Sequence, residues 1–262
     1  MTDQGPGRAE GVRAEGVRAE GVRVVALVCS AGGLDALSRV LSGLPADLPA
    51  AVVALQHLSP DRPSELAALL ADRTALTVRT AHDGDRLTPG RVLVAPSGRH
   101  LLLTNDGTVA LVRSGALPPA RPSADLLLTS LALTAGTRAV AVVLTGYGTD
   151  GAVGAAAVHR LGGIVVTSDE ATSLHFAMPS ATITSATAGG EAVADHIVGL
   201  DDVAPLLVSL VRDPGGLVPD PGGLVPDPGG LAPDPGGLAP DPGGLAPDPG
   251  GSVGDPRGPV TS

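Results

Sequence analysis

The chain has 262 residues, a formal net charge of −10 and only two aromatic rings, one tyrosine and one phenylalanine. This length allows one domain with a sizeable core, and that core has to be aliphatic. The acidic balance, with almost no rings to stack on bases, argues against nucleic-acid binding. The single cysteine, Cys29, excludes an intramolecular disulfide and a cysteine-cluster metal site. Because no apolar run reaches about 18 residues and no signal core is present, we expect a cytoplasmic protein without membrane insertion.

Short repeats occupy both ends of the chain. The motif RAEGV occurs three times within residues 8–22, and DPGGLVP or DPGGLAP units follow one another from residue 213. Units so rich in proline and glycine bury too little apolar surface to offset the loss of chain entropy. We predict a flexible leader over 1–23, a folded domain over 24–212 and a disordered tail over 213–262. The tail holds −6 of the net charge and the leader is neutral, which leaves −4 for the domain.

The first half of the domain alternates short apolar runs with helical patterns. The runs VVALVC (24–29), AAVVALQ (50–56) and LTVRT (76–80) predict strands, the first two buried on both faces of a sheet. Apolar residues at helical spacing predict helices over 34–44 and 64–73. This alternation predicts an α/β architecture with a largely parallel sheet.

The second half interrupts this alternation and then resumes it. Strand-like segments on either side of Asn105 within residues 91–113 predict an antiparallel hairpin. Three helical patterns and two buried strands follow, the helices over 122–136, 150–163 and 200–212, the strands over 139–146 and 164–168. We expect Ser123 to cap the first of these helices and Asp201 or Asp202 to cap the last.

Three of the predicted strands end on residues that together would form an activated serine site. These residues are Ser30, His57 and Asp150. Because the carboxyl ends of parallel strands meet at one edge of a sheet, we expect the three side chains to lie close together. They would serve as nucleophile, base and orienting carboxylate of an acyl transfer. Taken singly, each has an ordinary alternative: a turn or cap for Ser30, a structural histidine for His57 and a helix N-cap for Asp150.

Fingerprints of several other chemistries do not occur in the sequence. No GxGxxG follows the first strand, and a P-loop needs a lysine, which this chain lacks. The GxSxG elbow of α/β-hydrolases fails because Val28 stands at its first glycine, and the order Ser, His, Asp is not the order of that fold. A serine esterase of another lineage and a small-molecule-binding α/β protein both stay open at this point.

Six longer motifs occur along 24–212: CSAGGLDAL, LQHLSPDRPSELAALL, AHDGDRLTPGRVLVAPSGRHLLL, RPSADLLLTSLA, VVLTGYGTDGAVGAAAV and FAMPSATI. In this order they resemble the CheB-type protein-glutamate methylesterases. The resemblance implies a doubly wound α/β fold, with a mostly parallel sheet, helices on both faces and one antiparallel hairpin. It also implies hydrolysis of γ-glutamyl methyl esters, and deamidation of glutamines, on methylated chemoreceptors or related helical signalling proteins. We expect no cofactor and no metal.

The same resemblance assigns roles to individual residues. The family's catalytic serine, histidine and aspartate stand in GASTGG-like, QHM and TGMGxDG motifs, which correspond to Ser30, His57 and Asp150. Backbone amides near Ala31 and Tyr147 are then the candidate oxyanion donors.

Arg121 lies in a family motif and is a candidate substrate-adjacent residue. The chain departs from the family pattern at Cys29, Ala31 and Tyr147, so a catalytically impaired module that binds a helical partner is the alternative. Since nothing before residue 24 resembles a receiver domain, we expect a catalytic domain without one, whose regulation does not depend on an attached receiver.

Overall fold

A computed structural model describes residues 21–58, 64–114, 121–187 and 189–213. Apart from residues 21–23 at the end of the leader and residue 213 at the start of the tail, the predicted leader and tail lie outside these ranges. Their flexibility, and the domain boundaries drawn from it, stay predictions.

Nine strands lie in the described part of the chain. They are β1 (Arg23–Cys29), β2 (Ala50–Gln56), β3 (Thr77–Thr80), β4 (Arg91–Val94), β5 (His100–Leu103), β6 (Val109–Val112), β7 (Ala139–Val143), β8 (Ile164–Ser168) and β9 (His196–Val198). Seven of them form one parallel sheet in the order β3-β4-β2-β1-β7-β8-β9. The remaining two, β5 and β6, form a separate antiparallel pair. The fold is therefore α/β, as the sequence predicts.

Six α-helices lie in the same ranges. They are α1 (Gly33–Ser42), α2 (Leu66–Ala71), α3 (Ala124–Ala135), α4 (Ala152–Arg160), α5 (Ala177–Ile183) and α6 (Val203–Arg212). Among the residues that the structure describes, none of the helices has the length and apolar character needed to cross a membrane.

Alternate residues of the central strands face two separate halves of the core. On β1, Val25 and Leu27 pack with side chains of α1, α2 and α6, whereas Val24 and Ala26 pack with those of α3, α4 and the β5–β6 hairpin. This arrangement follows from the alternation of side chains along a strand, and it makes every central strand apolar on both faces. Helices thus cover both faces of the sheet, and the largest fully buried side chains are all leucines.

The topology brings the three predicted strand ends together. The chain leaves β1 towards β2 on one side and later returns to form β7 on the other side, so β1 lies between them. In such doubly wound sheets the reversal opens a crevice at the carboxyl ends of the strands, where ligands bind. Ser30, His57 and Asp150 follow β1, β2 and β7 at this edge.

One sequence prediction needs correction, and two elements have no prediction. Within residues 91–113, only β5 and β6 form the predicted hairpin, because β4 pairs in parallel with β2 and β3 in the main sheet. Neither α5 nor β9 was expected, since the first has a proline in its opening turn and the second has three residues at the sheet edge.

The predicted caps of α3 and α6 differ in outcome. Ser123 caps α3 as predicted, because its hydroxyl accepts the Leu126 N–H at 3.4 Å. The prediction for α6 is wrong: Asp202 occupies the N-cap position without a side-chain bond, and Asp201 instead pairs with Arg39. A 3₁₀ turn over Leu200–Asp202 gives Asp202 a helical backbone, whereas a capping side chain works from an extended one.

Candidate active site

Ser30 is the first residue after β1, and its backbone is fixed by the neighbouring strand end. Its N–H donates to the Thr145 carbonyl at 2.9 Å, and its own carbonyl accepts the Gly33 N–H at 3.0 Å. Gly146 leaves room for this serine: a Cβ at position 146 would lie 2.7 Å from Ser30 Cβ and 2.3 Å from the Met178 sulfur. Glycine is therefore required at 146 by close packing.

His57 continues the pairing of β1 and β2 by one residue. Its N–H donates to the Cys29 carbonyl at 3.0 Å, which places it beside Ser30 in the register of the two strands. The side chain is half-buried, and its Nε2 lies 2.8 Å from Oδ2 of Asp150. Two of the three predicted residues are therefore hydrogen-bonded to each other.

The carboxylate of Asp150 is surrounded by donors. It accepts four hydrogen bonds, from His57 Nε2 at 2.8 Å, the Ala124 N–H at 2.8 Å, the Asp125 N–H at 2.9 Å and the Ser123 hydroxyl at 3.0 Å. Burial by itself would raise the pKa of Asp150, but the bonds from the His57 ring and the two N–H groups outweigh it and hold the pKa at about 2. This carboxylate is therefore charged at neutral pH.

The alternative role of Asp150, as the N-cap of α4, does not match its position. Gly151 occupies that cap with a φ of 109°, in the left-handed region that favours glycine. The Asp150 side chain instead binds N–H groups in the first turn of α3, a different helix. Its negative charge is also favourable there, since the N-terminus of a helix carries partial positive charge.

The hydroxyl of Ser30 and the second ring nitrogen of His57 carry no competing bonds in the described part of the chain. Neither Ser30 Oγ nor His57 Nδ1 is hydrogen-bonded to any group in the described ranges. With Nε2 held by Asp150, Nδ1 is the nitrogen left to accept the serine proton. Catalytic hydrogen bonds often close only when substrate is present, so the open Ser30–His57 contact is compatible with catalysis.

Thr145 ties the turns that flank Ser30 into one unit. Its buried hydroxyl lies 3.0 Å from the Ala31 carbonyl and 3.2 Å from the His175 carbonyl, and it accepts the His175 N–H at 2.8 Å. The N–H groups of Ala31 and Tyr147 donate to nothing within the residues described by the structure. Ala31 directly follows Ser30, and Tyr147 directly follows Gly146, which packs against Ser30, so both N–H groups stay candidate oxyanion donors.

The Tyr147 ring is exposed and lies against His175. The two ring centroids are 4.1 Å apart with the planes inclined by 34°. Since 63% of Tyr147 is accessible to solvent, the ring forms part of the outer surface of the site. Substitution of the usual family methionine here changes that surface and leaves the backbone N–H in place.

Arg121 reaches the site only through other residues. Its guanidinium donates to the Ser114 carbonyl at 3.4 Å, and the Ser114 hydroxyl lies 2.9 Å from Nε2 of buried His100. Nδ1 of His100 accepts the Ser123 N–H at 3.3 Å. Burial, and then the charge of Arg121, lower the pKa of His100 and keep it neutral. A substrate-adjacent role of Arg121 stays a prediction.

Sequence reasoning missed the groups that support the three residues. Thr145, Met178 and the first turn of α3 were not expected at this site, although Ser123 was identified as a cap. The RPSADLLLTSLA motif contains this turn, and its residues predict a helix and the Ser123 cap, but they do not by themselves indicate a bond to Asp150. Within the part of the chain described here, no three His, Cys, Asp or Glu side chains group together as a metal site requires.

Comparisons with known proteins match this architecture. Residues 25–207 match the family model described as CheB methylesterase. A protein-glutamate methylesterase/protein-glutamine glutaminase of Moorella thermoacetica is 39% identical over 214 residues, which cover 80% of this chain and 47% of that protein. A protein of the same name from Anaeromyxobacter dehalogenans, numbered 2, is 40% identical over 189 residues, covering 72% of this chain and 53% of the relative.

A solved structure gives the same result. The crystal structure of the Thermotoga maritima CheB methylesterase catalytic domain matches with a TM-score of 0.67 and 34% identity, covering 73% of this chain and all of that domain. The chain spans about half the length of the two curated relatives. On its sequence and its fold, this chain belongs to the CheB methylesterase family.

Proposed function

We propose that this chain is a serine esterase that removes methyl groups from γ-glutamyl methyl esters of methylated chemoreceptors or related helical signalling proteins. Ser30 is the nucleophile, His57 the general base and Asp150 the orienting carboxylate. One observation carries the proposal: His57 is hydrogen-bonded to Asp150, a charged carboxylate that accepts four hydrogen bonds. Both residues lie at the carboxyl ends of the strands, where Ser30 follows β1. The printed names of the relatives support the substrate class.

The first half-reaction transfers the acyl group to the enzyme. Ser30 Oγ attacks the ester carbonyl carbon while Nδ1 of His57 accepts the hydroxyl proton, and Asp150 stabilises the imidazolium through Nε2–H. The Ala31 and Tyr147 N–H groups donate to the oxyanion of the tetrahedral intermediate. When the intermediate collapses, the bond to the methoxy oxygen breaks, His57 returns the proton to it, and methanol leaves.

The second half-reaction uses water in place of the serine. His57 takes a proton from water, which attacks the acyl carbon, and the Ser30 ester bond breaks with return of that proton to Oγ. The products are a glutamate carboxylate and free enzyme. With glutamine as substrate, ammonia replaces methanol as the leaving group, so the same residues serve a glutaminase activity. No step requires a cofactor or metal.

The departures from the family pattern leave these groups intact. Cys29 faces away from the crevice into the core beside α1, where burial raises the pKa of its thiol and its Sγ lies 3.5 Å from the Leu55 carbonyl. Neither Ala31 nor Tyr147 interrupts the His57–Asp150 pair. No observation supports an impaired module, so we retain the active esterase.

Exposed apolar side chains beside the serine support a protein substrate. Leu174 is 72% exposed and borders a cavity of about 470 Å³ that Gly32 and Thr145 also line. Leu174 and the Tyr147 ring together offer apolar surface next to the nucleophile, and such surface is what the apolar face of a helical substrate would bind. We propose that this reaction takes place in the cytoplasm.

The decisive experiment compares the chain with Ser30→Ala. The chain should react with a fluorophosphonate probe and release methanol from methylated receptor, and Ser30→Ala should lose both activities. Because the Ser30 side chain makes no hydrogen bond in the described ranges, the melting temperature should change by less than about 2 °C. Methanol release by purified Ser30→Ala at the wild-type rate would refute the assignment.

A further inference from the structure

Two carboxylates exchange backbone partners between the first turns of α3 and α4. Asp150, which precedes α4, accepts the N–H groups of Ala124 and Asp125 in α3 at 2.8 and 2.9 Å. In return, Oδ1 of Asp125 accepts the N–H groups of Gly151, the N-cap of α4, and Gly154, in its first turn, at 2.9 and 2.8 Å. Each helix start is therefore held by a side chain that belongs to the other.

We propose that Asp125 is a positioning residue of the active site, an inference that rests on the function proposed above. Gly151 is the residue directly after Asp150, so the bond from its N–H to Asp125 fixes the backbone that carries the orienting carboxylate. Through this backbone, Asp125 sets the direction from which Asp150 meets Nε2 of His57. Asp125 itself contacts neither His57 nor Ser30.

Close packing of the two helices makes the exchange possible. A Cβ at Gly154 would lie 2.6 Å from Leu128 Cβ and 2.8 Å from the Asp125 carbonyl oxygen. Glycine at this position lets α4 approach α3 until its N–H groups reach the Asp125 carboxylate. The position of Asp150 thus depends on the distance between two helices.

The charges of the pair also argue for a specific arrangement. Burial, and then the negative charge of nearby Asp150, raise the pKa of Asp125, whereas the bonds from Gly154 and Gly151 lower it. Placing two carboxylates together opposes folding unless each is well supplied with donors. The donors here come from the backbone of the opposite helix. Asp125 therefore holds the backbone of Asp150 in place, although its own charged form is disfavoured by burial and by the charge of Asp150.

The test separates loss of the clamp from loss of the charge. Asp125→Asn keeps Oδ1, which accepts both glycine N–H groups, and removes only the charge. Asp125→Ala removes the clamp. The control is Asp195→Ala, because Asp195 also accepts a backbone N–H, from Val165 at 2.7 Å. Asp195 directly precedes β9 and binds the start of β8, so it lies at the amino ends of the strands, away from the carboxyl ends.

Steady-state methanol release provides the first readout. We expect kcat to fall about 10- to 100-fold in Asp125→Ala with KM unchanged within about twofold, because misplacement by about 1 Å costs on this scale. Asp125→Asn should stay within about threefold of wild type, and Asp195→Ala should keep its kcat even if it melts earlier. If Asp125→Ala does not fold, Asp125→Glu keeps the charge but moves the acceptor, and it should show the same fall in kcat.

Imidazole ¹⁵N NMR provides a readout that needs no substrate. His57, assigned with a His57→Gln variant, should carry its proton on Nε2 in the wild type and lose this single tautomer in Asp125→Ala. A wild type without esterase activity would overturn the proposed function, but the tautomer would still test the positioning role. Folded Asp125→Ala with unchanged kcat and an unchanged His57 spectrum would overturn the inference.

Discussion

Two pairs of aspartates at helix starts have the same sequence character and different consequences. Asp150 and Asp125 lie at the starts of α4 and α3, Asp201 and Asp202 at the start of α6. The first pair is partly buried and donor-rich, and one of its members binds His57. In the second pair, Asp201 is about three-quarters exposed and meets only Arg39, while Asp202 makes no capping bond.

The difference shows that burial, more than residue type, gives a carboxylate a chemical role. At low effective dielectric, four donors hold the Asp150 charge in a defined place and aim it at an imidazole. The exposed Asp201–Arg39 pair is screened by water and salt, so we expect it to contribute little to the stability of the fold. Three predictions test this contrast.

The largest effect is expected from Asp150→Asn. An amide has one acceptor oxygen where the carboxylate has two, so its NH₂ group must face donors, either His57 and Ala124 or Ser123 and Asp125. The amide also cannot stabilise the imidazolium. We expect turnover to fall at least about 100-fold and the free energy of unfolding to fall by about 1–3 kcal/mol, measured by methanol release and urea denaturation. Near-normal turnover would leave only a Ser30–His57 dyad.

A smaller effect is expected from acid. The pKa of Asp150 is depressed to about 2, so its stabilisation is complete above the unfolded pKa near 4 and is lost as pH falls towards 2. The loss should be on the order of 2 kcal/mol across this window. Asp125, whose pKa is raised, acts in the opposite sense, because its protonation on acidification relieves a penalty.

The acid effect can be isolated by difference. Urea denaturation of the wild type and of Asp150→Asn at pH 5 and at pH 2.5 gives two differences in unfolding free energy. The difference at pH 2.5 should be clearly smaller, since the wild-type carboxylate is then partly protonated. A difference that is equal at both pH values would mean that the charge of Asp150 does not stabilise the fold.

The smallest effect is expected from Asp201→Asn. This change removes an exposed ion pair with Arg39 at 2.7 Å. It removes no helix cap, because no side chain caps α6. We expect the melting temperature to change by no more than about 2 °C and turnover to be unchanged. A drop of several degrees that disappears in 1 M salt would show that the exposed pair matters more than its surroundings indicate.

The sequence predicts the sheet and the edge that carries the site because both depend on local signals. Apolar β-branched runs mark β1, β2 and β7, and parallel topology brings the residues after them together, so Ser30, His57 and Asp150 could be named in advance. The hydrogen-bond partners of Asp150 in α3 could not be predicted in the same way. They depend on how closely α3 approaches α4, a distance set by Gly154 against Leu128, and no local pattern expresses it.

The remaining errors also come from non-local causes. β4 was grouped with the hairpin because its sequence is equally apolar, and only pairing with β2 assigns it to the main sheet. Asp202 does not cap α6 because the 3₁₀ turn over Leu200–Asp202 gives this residue a helical backbone. Short elements such as β9 are formed by contacts with their neighbours and carry little pattern of their own.

The aliphatic core has a consequence for observing this protein in solution. The chain contains no tryptophan and one tyrosine, Tyr147. That ring lies on His175 with centroids 4.1 Å apart, one residue from the glycine that packs against Ser30. The intrinsic ultraviolet fluorescence of the whole chain therefore originates almost entirely from a single fluorophore at the mouth of the crevice, so the wild-type protein carries its own optical reporter of that location without any label.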